Sequence, residues 1–264
     1  MVGPLIREWR QQRRMTQAEL AEDAEISTRH LSCVENGKAR PSREMVLVLC
    51  SALDMPLRQR NTVLEAAGFA PAYDHRDFDA PDYDAVRQGL TFLLERMEPF
   101  GAVIVDRSWN VVLWNRPMAT MATWLLGADP ETLARTQSNL LRSTFDPDGL
   151  RPYIVNWEDI AVHTLNALHR DALHTGSAAV ARLRDELAAA PGVPPWKHRE
   201  PEETVVLPMR IAKDGIELAF FTTLATLGTA ADVTLSELRI ESYFPADATT
   251  TANLQLLAGA FSAP

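Results

Sequence analysis

Three residues suited to helix N-caps punctuate the run from Thr16 to Ser42, and they limit what this stretch can fold into. Thr16 is followed by Glu19, the spacing at which the two side chains satisfy each other's free backbone N–H groups in a capping box. Ser27 precedes a second segment of apolar periodicity and Ser42 a third. Asn36-Gly37 supplies a helix stop between them. Helices this short do not persist alone in water, so their apolar faces must pack on one another. Those faces carry Ala18, Leu20, Ala21 and Ala24, then Leu31 and Val34, then Met45, Val46, Leu49 and Leu53. Upstream, Pro4 suits the first turn of a helix, where its missing N–H costs nothing. Leu5 and Trp9 share a face there, with Arg7, Arg10, Arg13 and Arg14 around the rest. A fifth helix runs from about Leu57 to Ala67 and ends before Gly68. The spacing predicts an all-α five-helix domain over residues 1–70.

A short helix, a tight turn and a second short helix make a helix-turn-helix. The run T-Q-A-E-L-A-E-D-A-E-I-S-T-R-H-L-S-C-V-E-N-G-K-A-R-P-S resembles the lambda-repressor-like DNA-binding domain of phage repressors and the XRE family, with Gln17, Ala21, Leu31, Glu35, Asn36, Gly37, Pro41 and Ser42 in register. Glu25 stands in the turn where that family usually has Gly, so a φ > 0 conformation there is less comfortable. In this arrangement the second helix of the motif enters the major groove by its N-terminal part. Thr28, Arg29, Ser32 and Cys33 are expected to face the bases, with His30 reaching a base or a phosphate. Arg29 has the fork that matches guanine O6 and N7. Gln17, at a helix start, is expected to hold a phosphate through its amide and backbone N–H. Asn36, Lys38, Arg40 and Arg43 lie just past the recognition helix and are expected on the backbone or in the minor groove. Arg10 and Glu35 resemble a family pair that forms an internal salt bridge. The alternative is a helical interaction module without DNA.

The stretch GFAPAYDHRDFDAPD, rich in Pro and Asp, lacks periodicity and predicts a linker over residues 71–81. The formal net charge of the whole chain is −9, with 26 Lys+Arg against 35 Asp+Glu. Residues 1–70 hold 10 and 9 of these, and residues 71–264 hold 16 and 26. The acidity therefore belongs to the second part, and bulk charge does not argue against a local basic surface on the first. The acidic remainder is expected to stay off phosphates.

Residues 82–264 predict an α+β domain. Residues 82–97 form an amphipathic helix with Leu90, Leu93, Leu94 and Met97 on its stripe. Ala102 to Asp106 and Val111 to Asn115 form a hairpin. Helices follow over about Pro117 to Leu126, Glu131 to Leu141, Val155 to His174 and Ser177 to Ala190. Strands then run over Thr204 to Ile211, Ile216 to Ala225 and Leu235 to Phe244, and a helix over Thr249 to Ala260 closes the chain. A hairpin, a helical middle and three more antiparallel strands is the layout of a PAS-like sensor, an antiparallel sheet with flanking helices and room for a pocket. Five of the six tryptophans lie in this part, and core packing alone accounts for most of them.

Asp106-Arg107-Ser108-Trp109-Asn110-Val111-Val112-Leu113-Trp114-Asn115 resembles the D-x-x-W-x-V-L-x-W-N segment of MmyB-like transcription regulators. Asn139 to Arg142 with Phe145-Asp146-Pro147 resembles that family's R-N-x-x-R…F-x-D-P stretch, Asn156-Trp157 its D-W pair, and Tyr243-Phe244-Pro245 its late Y-x-P element. Ser138 and Asn156 replace the family's Arg and Asp. The resemblance implies a pocket for a small, mainly apolar ligand such as a fatty acid. Trp114, Asn115, Asn139, Arg142, Phe145 and Trp157 are the candidate ligand-binding residues on that basis. An acyl chain gains roughly 0.8 kcal/mol per buried CH₂, so an apolar pocket suffices for affinity. Arg142 is the candidate cation for a carboxylate, and Asn115 or Asn139 the amide. The alternative is that Arg142 pairs with Asp146 at the surface and both Asn residues cap turns.

Other chemistries find little support. The longest apolar runs fall short of the roughly 20 residues that span a bilayer, and the N-terminus lacks the apolar core of a secretory signal. Cys33 and Cys50 cannot build a disulfide framework. His163 and His174 share a helix face, but one face cannot close a zinc shell, and no H-E-x-x-H, Gly-rich phosphate loop or G-x-S-x-G elbow occurs. The expectation is a cytoplasmic, non-enzymatic, homodimeric transcription regulator with no metal and no cofactor, whose partners are a double-stranded DNA operator and a small apolar ligand. The rival readings are a DNA-binding domain fused to a partner-docking module, or to an enzyme acting on a lipid-like metabolite.

Overall fold

The caps read from the sequence become helix starts in the computed structural model, which describes residues 1–136, 138–197 and 206–261. The first helices are α1 (Val2–Gln12), α2 (Gln17–Asp23), α3 (Thr28–Glu35), α4 (Arg43–Ala52) and α5 (Leu57–Ala66). Thr16 and Glu19 form the complete capping box on α2, and Ser27 and Ser42 accept from the backbone N–H groups of His30 and Met45. The core of this part is Ile6, Trp9, Leu20, Leu31, Val34, Val46, Leu49, Leu53 and Leu64 with their neighbours. On α1 the fully buried residues are Gly3, Ile6 and Trp9, while Leu5 packs at the margin. Gly3 marks the closest approach: a Cβ there would lie 2.4 Å from the Val34 carbonyl oxygen and 2.6 Å from that of Glu35. Only glycine lets α1 touch the end of α3 in this way.

Beyond residue 76 the elements are α6 (Asp84–Arg96), β1 (Gly101–Val105), β2 (Val111–Trp114), α7 (Arg116–Leu126), α8 (Pro130–Thr136), α9 (Leu140–Phe145), α10 (Trp157–Thr175) and α11 (Ala178–Ala188). They are followed by β3 (Met209–Lys213), β4 (Ile216–Thr226), α12 (Val233–Ser236), β5 (Arg239–Pro245) and α13 (Ala248–Phe261). The chain is thus an α+β protein of two domains. By contact it divides into one unit of Met1–Arg76, Asp171–Ser177 and Thr229–Ser236, and another of Asp77–Arg170, Ala178–Gly228 and Glu237–Pro264. Within the first unit Arg13 donates to the carbonyls of Leu53, Asp54 and His174, and Gln59 donates to that of Gly176.

The strands of the second unit form one antiparallel sheet in the order β2-β1-β5-β4-β3, the PAS-like layout. Register sets which side chains share a face. Val103 stands opposite Trp114 on β2 and opposite Glu241 on β5, and Gly101 stands opposite Tyr243. With the strand period of two, Val103, Trp114, Glu241 and Tyr243 line one face. The core on that face adds Met118, Trp124, Leu125, Ile211, Leu218 and Phe220.

Two expected elements differ. The single helix expected over Glu131 to Leu141 is two, α8 and α9, because Asn139 leaves the helical path. Its Oδ1 accepts from the Arg142 N–H and its Nδ2 donates to the Ser108 carbonyl at 2.8 Å and to Asn110 Oδ1 at 2.9 Å. The strand expected from Leu235 starts at Arg239, because Asp232 caps a short helix by accepting from the Leu235 N–H at 2.8 Å. Of the strand expected over Thr204 to Ile211, Thr204 and Val205 lie outside the described residues.

Candidate functional site

The inner face of α3 is fixed by Leu31, Val34 and Glu35, all buried. Glu35 is the anchor. Its carboxylate accepts from Arg10 Nε at 2.7 Å, Arg10 Nη2 at 2.9 Å, Gln17 Nε2 at 2.7 Å and Arg7 Nε at 3.4 Å. Burial alone pushes its carboxyl up, but the hydrogen bonds from Arg10, Gln17 and Arg7 and the Arg10 charge outweigh it and hold the group below the ordinary value. Arg10 also donates to the Met15 carbonyl at 2.8 Å. One carboxylate therefore ties the end of α3 to α1 and to the start of α2, and the Arg10–Glu35 bridge expected from the family resemblance is present.

The outer face of α3 presents Thr28 and Arg29, both exposed, with Ser32 and Cys33 half-buried beside them. His30 is half-buried, with Nε2 3.2 Å from Met45 Sδ, which draws its ring toward α4. Asn36 is exposed and serves the helix end: Nδ2 donates to the Ser32 carbonyl at 2.8 Å and Oδ1 accepts from Arg7 at 2.6 Å. Lys38 and Arg40 follow, exposed, and Arg43 opens α4, half-buried. Gln17 opens α2, and its amide nitrogen donates to Glu35. Glu25 occupies the turn at φ +52°, the left-handed conformation that a side chain disfavours. Cys50 lies in the core, and burial pushes its thiol up to about 12, which leaves it unreactive.

The second unit holds a cavity of about 60 Å³ between the sheet and α7, α8 and α9. That exceeds the roughly 10–15 Å³ one water needs. Val103, Val111, Trp114, Met209, Ile211 and Tyr243 form its sheet wall, and Met118, Met121, Leu125, Leu133 and Leu140 its helical wall. Leu150 and Ile154 close it, and Ser143 and Thr144 add the remaining polarity. Three thioethers in the wall, Met118 and Met121 on α7 and Met209 on β3, let such a cavity widen around a guest, because Met side chains are unbranched and repack easily.

The family model for the MmyB-like transcription regulator ligand binding domain matches residues 86–257. The chain belongs to this family. A second model, for a helix-turn-helix domain, matches residues 2–63. Among curated proteins, the transcriptional regulator ClgR from two strains of Mycobacterium tuberculosis is 34% identical over 76 residues, 29% of this chain and 65% of that protein. The chain thus spans about 65% of the length of these relatives. This MmyB-like chain carries a helix-turn-helix domain followed by a ligand-binding domain.

Of the ligand-binding residues expected in this MmyB-like domain, Trp114 lines the cavity. The others are used elsewhere. Asn115 caps α7: Oδ1 accepts from the N–H groups of Ala102 and Met118, and Nδ2 donates to the carbonyls of Leu94 and Phe100. Its hydrogen bonds are spent on the fold. Asn139 caps α9 as described. Arg142 pairs with Glu186 through Nε at 2.7 Å and Nη2 at 2.9 Å on an open surface, 44 residues away rather than with the adjacent Asp146. Phe145 is buried edge-on against Trp157. Trp157 lies with Pro147, Arg151, Pro152, Pro191 and Gly192 in a separate open groove, under the Arg151 guanidinium. Sequence reasoning missed Met118, Met121, Ser143 and Tyr243. The period-two alternation of β5 was the available signal for Tyr243.

Proposed function

We propose that this regulator binds an operator as a homodimer in the cytoplasm, with the cavity of its C-terminal domain sensing a small, mainly apolar ligand. The observation that carries the reading is the pairing of an exposed α3 face with a rigidly anchored inner face. Thr28 and Arg29 are held in place without being consumed by the fold. Two such helices related by a dyad read half-sites roughly 34–36 Å apart. A ligand acts by binding one arrangement of the dimer better than another. The cavity wall supports binding rather than turnover: no His or Cys lines it beside Ser143 among the described residues. Titration of the purified chain against its own upstream DNA at several salt concentrations tests the first half. Affinity that falls steeply with salt and prefers one sequence supports it, and flat, weak binding overturns it. Mass spectrometry of small molecules released on denaturing the protein tests the second half, since a recurrent apolar compound is expected.

A further inference from the structure

The cavity is apolar almost throughout, so its few polar atoms determine what it can select. Thr144 is already satisfied, its hydroxyl donating to the Leu140 carbonyl at 2.8 Å. Ser143 is 4% exposed, lines the cavity, and its Oγ has no partner. Tyr243 is 5% exposed and also lines the cavity. The Glu241 carboxyl stands two residues away on the same strand face. Glu241 Oε2 is sealed from solvent and has no hydrogen-bond partner. Among the described residues, no Lys, Arg or His lines the cavity. Two cations on the framing elements are already engaged. Lys213 Nζ donates to the Trp124 and Leu125 carbonyls at 2.6 and 3.0 Å and sits over the Tyr153 ring, and Arg142 is paired with Glu186.

We propose that the cavity takes an uncharged, mainly apolar ligand bearing a hydroxyl group, of the long-chain alcohol class, and discriminates against the corresponding carboxylate. A hydroxyl both donates and accepts. It accepts from Ser143 Oγ–H, which has no partner within the protein, and donates to the oxygen of Tyr243. Leaving the Ser143 group unmatched is unfavourable, and a ligand that meets it recovers that loss. A carboxylate brings acceptors only, together with an anion that no cation in the wall neutralises and that lies on the Glu241 side of the sheet. A buried, unpaired ion is disfavoured far more strongly than a buried hydroxyl. The inference rests on the reading of this cavity as the regulator's ligand site.

The test is isothermal titration of the full-length chain at pH 8 with 1-decanol, decanoate and decane. Decanol is expected to bind at least about tenfold more tightly than decanoate, as one charge-free hydrogen bond and one avoided buried anion predict. In Ser143→Ala, decanol affinity is expected to fall about tenfold towards that of decane, with the circular dichroism spectrum unchanged. In Glu241→Gln the gap between decanol and decanoate is expected to narrow. Decanoate binding as tightly as decanol overturns this inference and leaves the cavity reading intact. Decane matching decanol overturns the role of Ser143. If none of the three probes binds, the cavity is not the ligand site, and both readings fall.

Discussion

Replacing Glu35 by Leu removes the acceptor at the centre of the N-terminal domain. The wild-type carboxylate side chain is 0% exposed and receives hydrogen bonds from Arg10, Gln17 and Arg7. Its loss strands Arg10, 11% exposed, next to an apolar side chain, whereas Arg7, 40% exposed, reverts to water. Breaking a buried pair from one side costs about 3–5 kcal/mol, most of it the penalty of the orphaned charge. With a urea dependence of about 1–1.5 kcal/mol/M for a domain of this size, the midpoint falls by at least ~2 M. Urea unfolding of the full chain followed by circular dichroism measures this. The double change Arg10→Met with Glu35→Leu is expected to recover at least half of the loss, because it removes the stranded charge as well. The acid limb provides a second check. The folded carboxyl titrates below the ordinary Glu value of 4.5, so its contribution is fully present above pH 4.5 and is lost as pH falls through the lower, folded value. The Leu variant lacks that part of the acid transition. A midpoint shift of less than about 0.5 M in the single variant would refute the account of Glu35 as the anchor of α3.

The remaining predictions are smaller in scope. Arg29→Ala is expected to weaken operator binding by about 1–3 kcal/mol and relax preference at one base pair, whereas Lys38→Ala weakens all sequences alike and lowers the salt slope by about 0.9; fluorescence anisotropy over a salt series separates the two. Glu25→Gly relieves the φ of +52° in the turn and is expected to raise stability by up to about 1 kcal/mol, read as a higher urea midpoint. Gly3→Ala is expected to lower the midpoint, because the added methyl meets the Val34 and Glu35 carbonyl oxygens; an unchanged midpoint would show that α1 can retreat. The Glu241 carboxyl is pushed up to about 7 by burial, against a smaller opposing effect of the neighbouring Tyr243 hydroxyl. Its folded value is raised, so the associated stability is present below pH 4.5 and lost as pH rises to 7, and Glu241→Gln is expected to flatten that slope.

The parts of this fold that are legible in the sequence are those whose signals are local. Thr16 with Glu19, Ser27 and Ser42 act on backbone groups three residues away, so their spacing alone locates α2, α3 and α4. Trp114 follows from the hairpin expected over Ala102 to Asp106 and Val111 to Asn115. What is not legible depends on distant partners. Asn139 interrupts a helical pattern because Ser108 and Asn110 wait 31 and 29 residues earlier. Arg142 has a suitable carboxylate at Asp146, yet Glu186 on another helix takes it. Asn115 has the chemistry of a ligand amide, but four backbone groups from three segments claim it. Ser143 looks like any helical serine until its surroundings are known. Polar residues near a cavity are therefore harder to assign from sequence than apolar ones, since one hydrogen bond elsewhere removes them.

The two faces of α3 carry separate information. Leu31, Val34 and Glu35 determine whether the helix is held, and on the proposed operator reading Thr28, Arg29 and Ser32 determine what it meets. Substitutions on the outer face leave the anchoring carboxylate and its arginines untouched. Operator preference can then drift one residue at a time without a loss of folding to repair. Descendants of such a chain can keep one sensor and acquire new promoters, and an engineer can exchange the outward residues of α3 as a cassette.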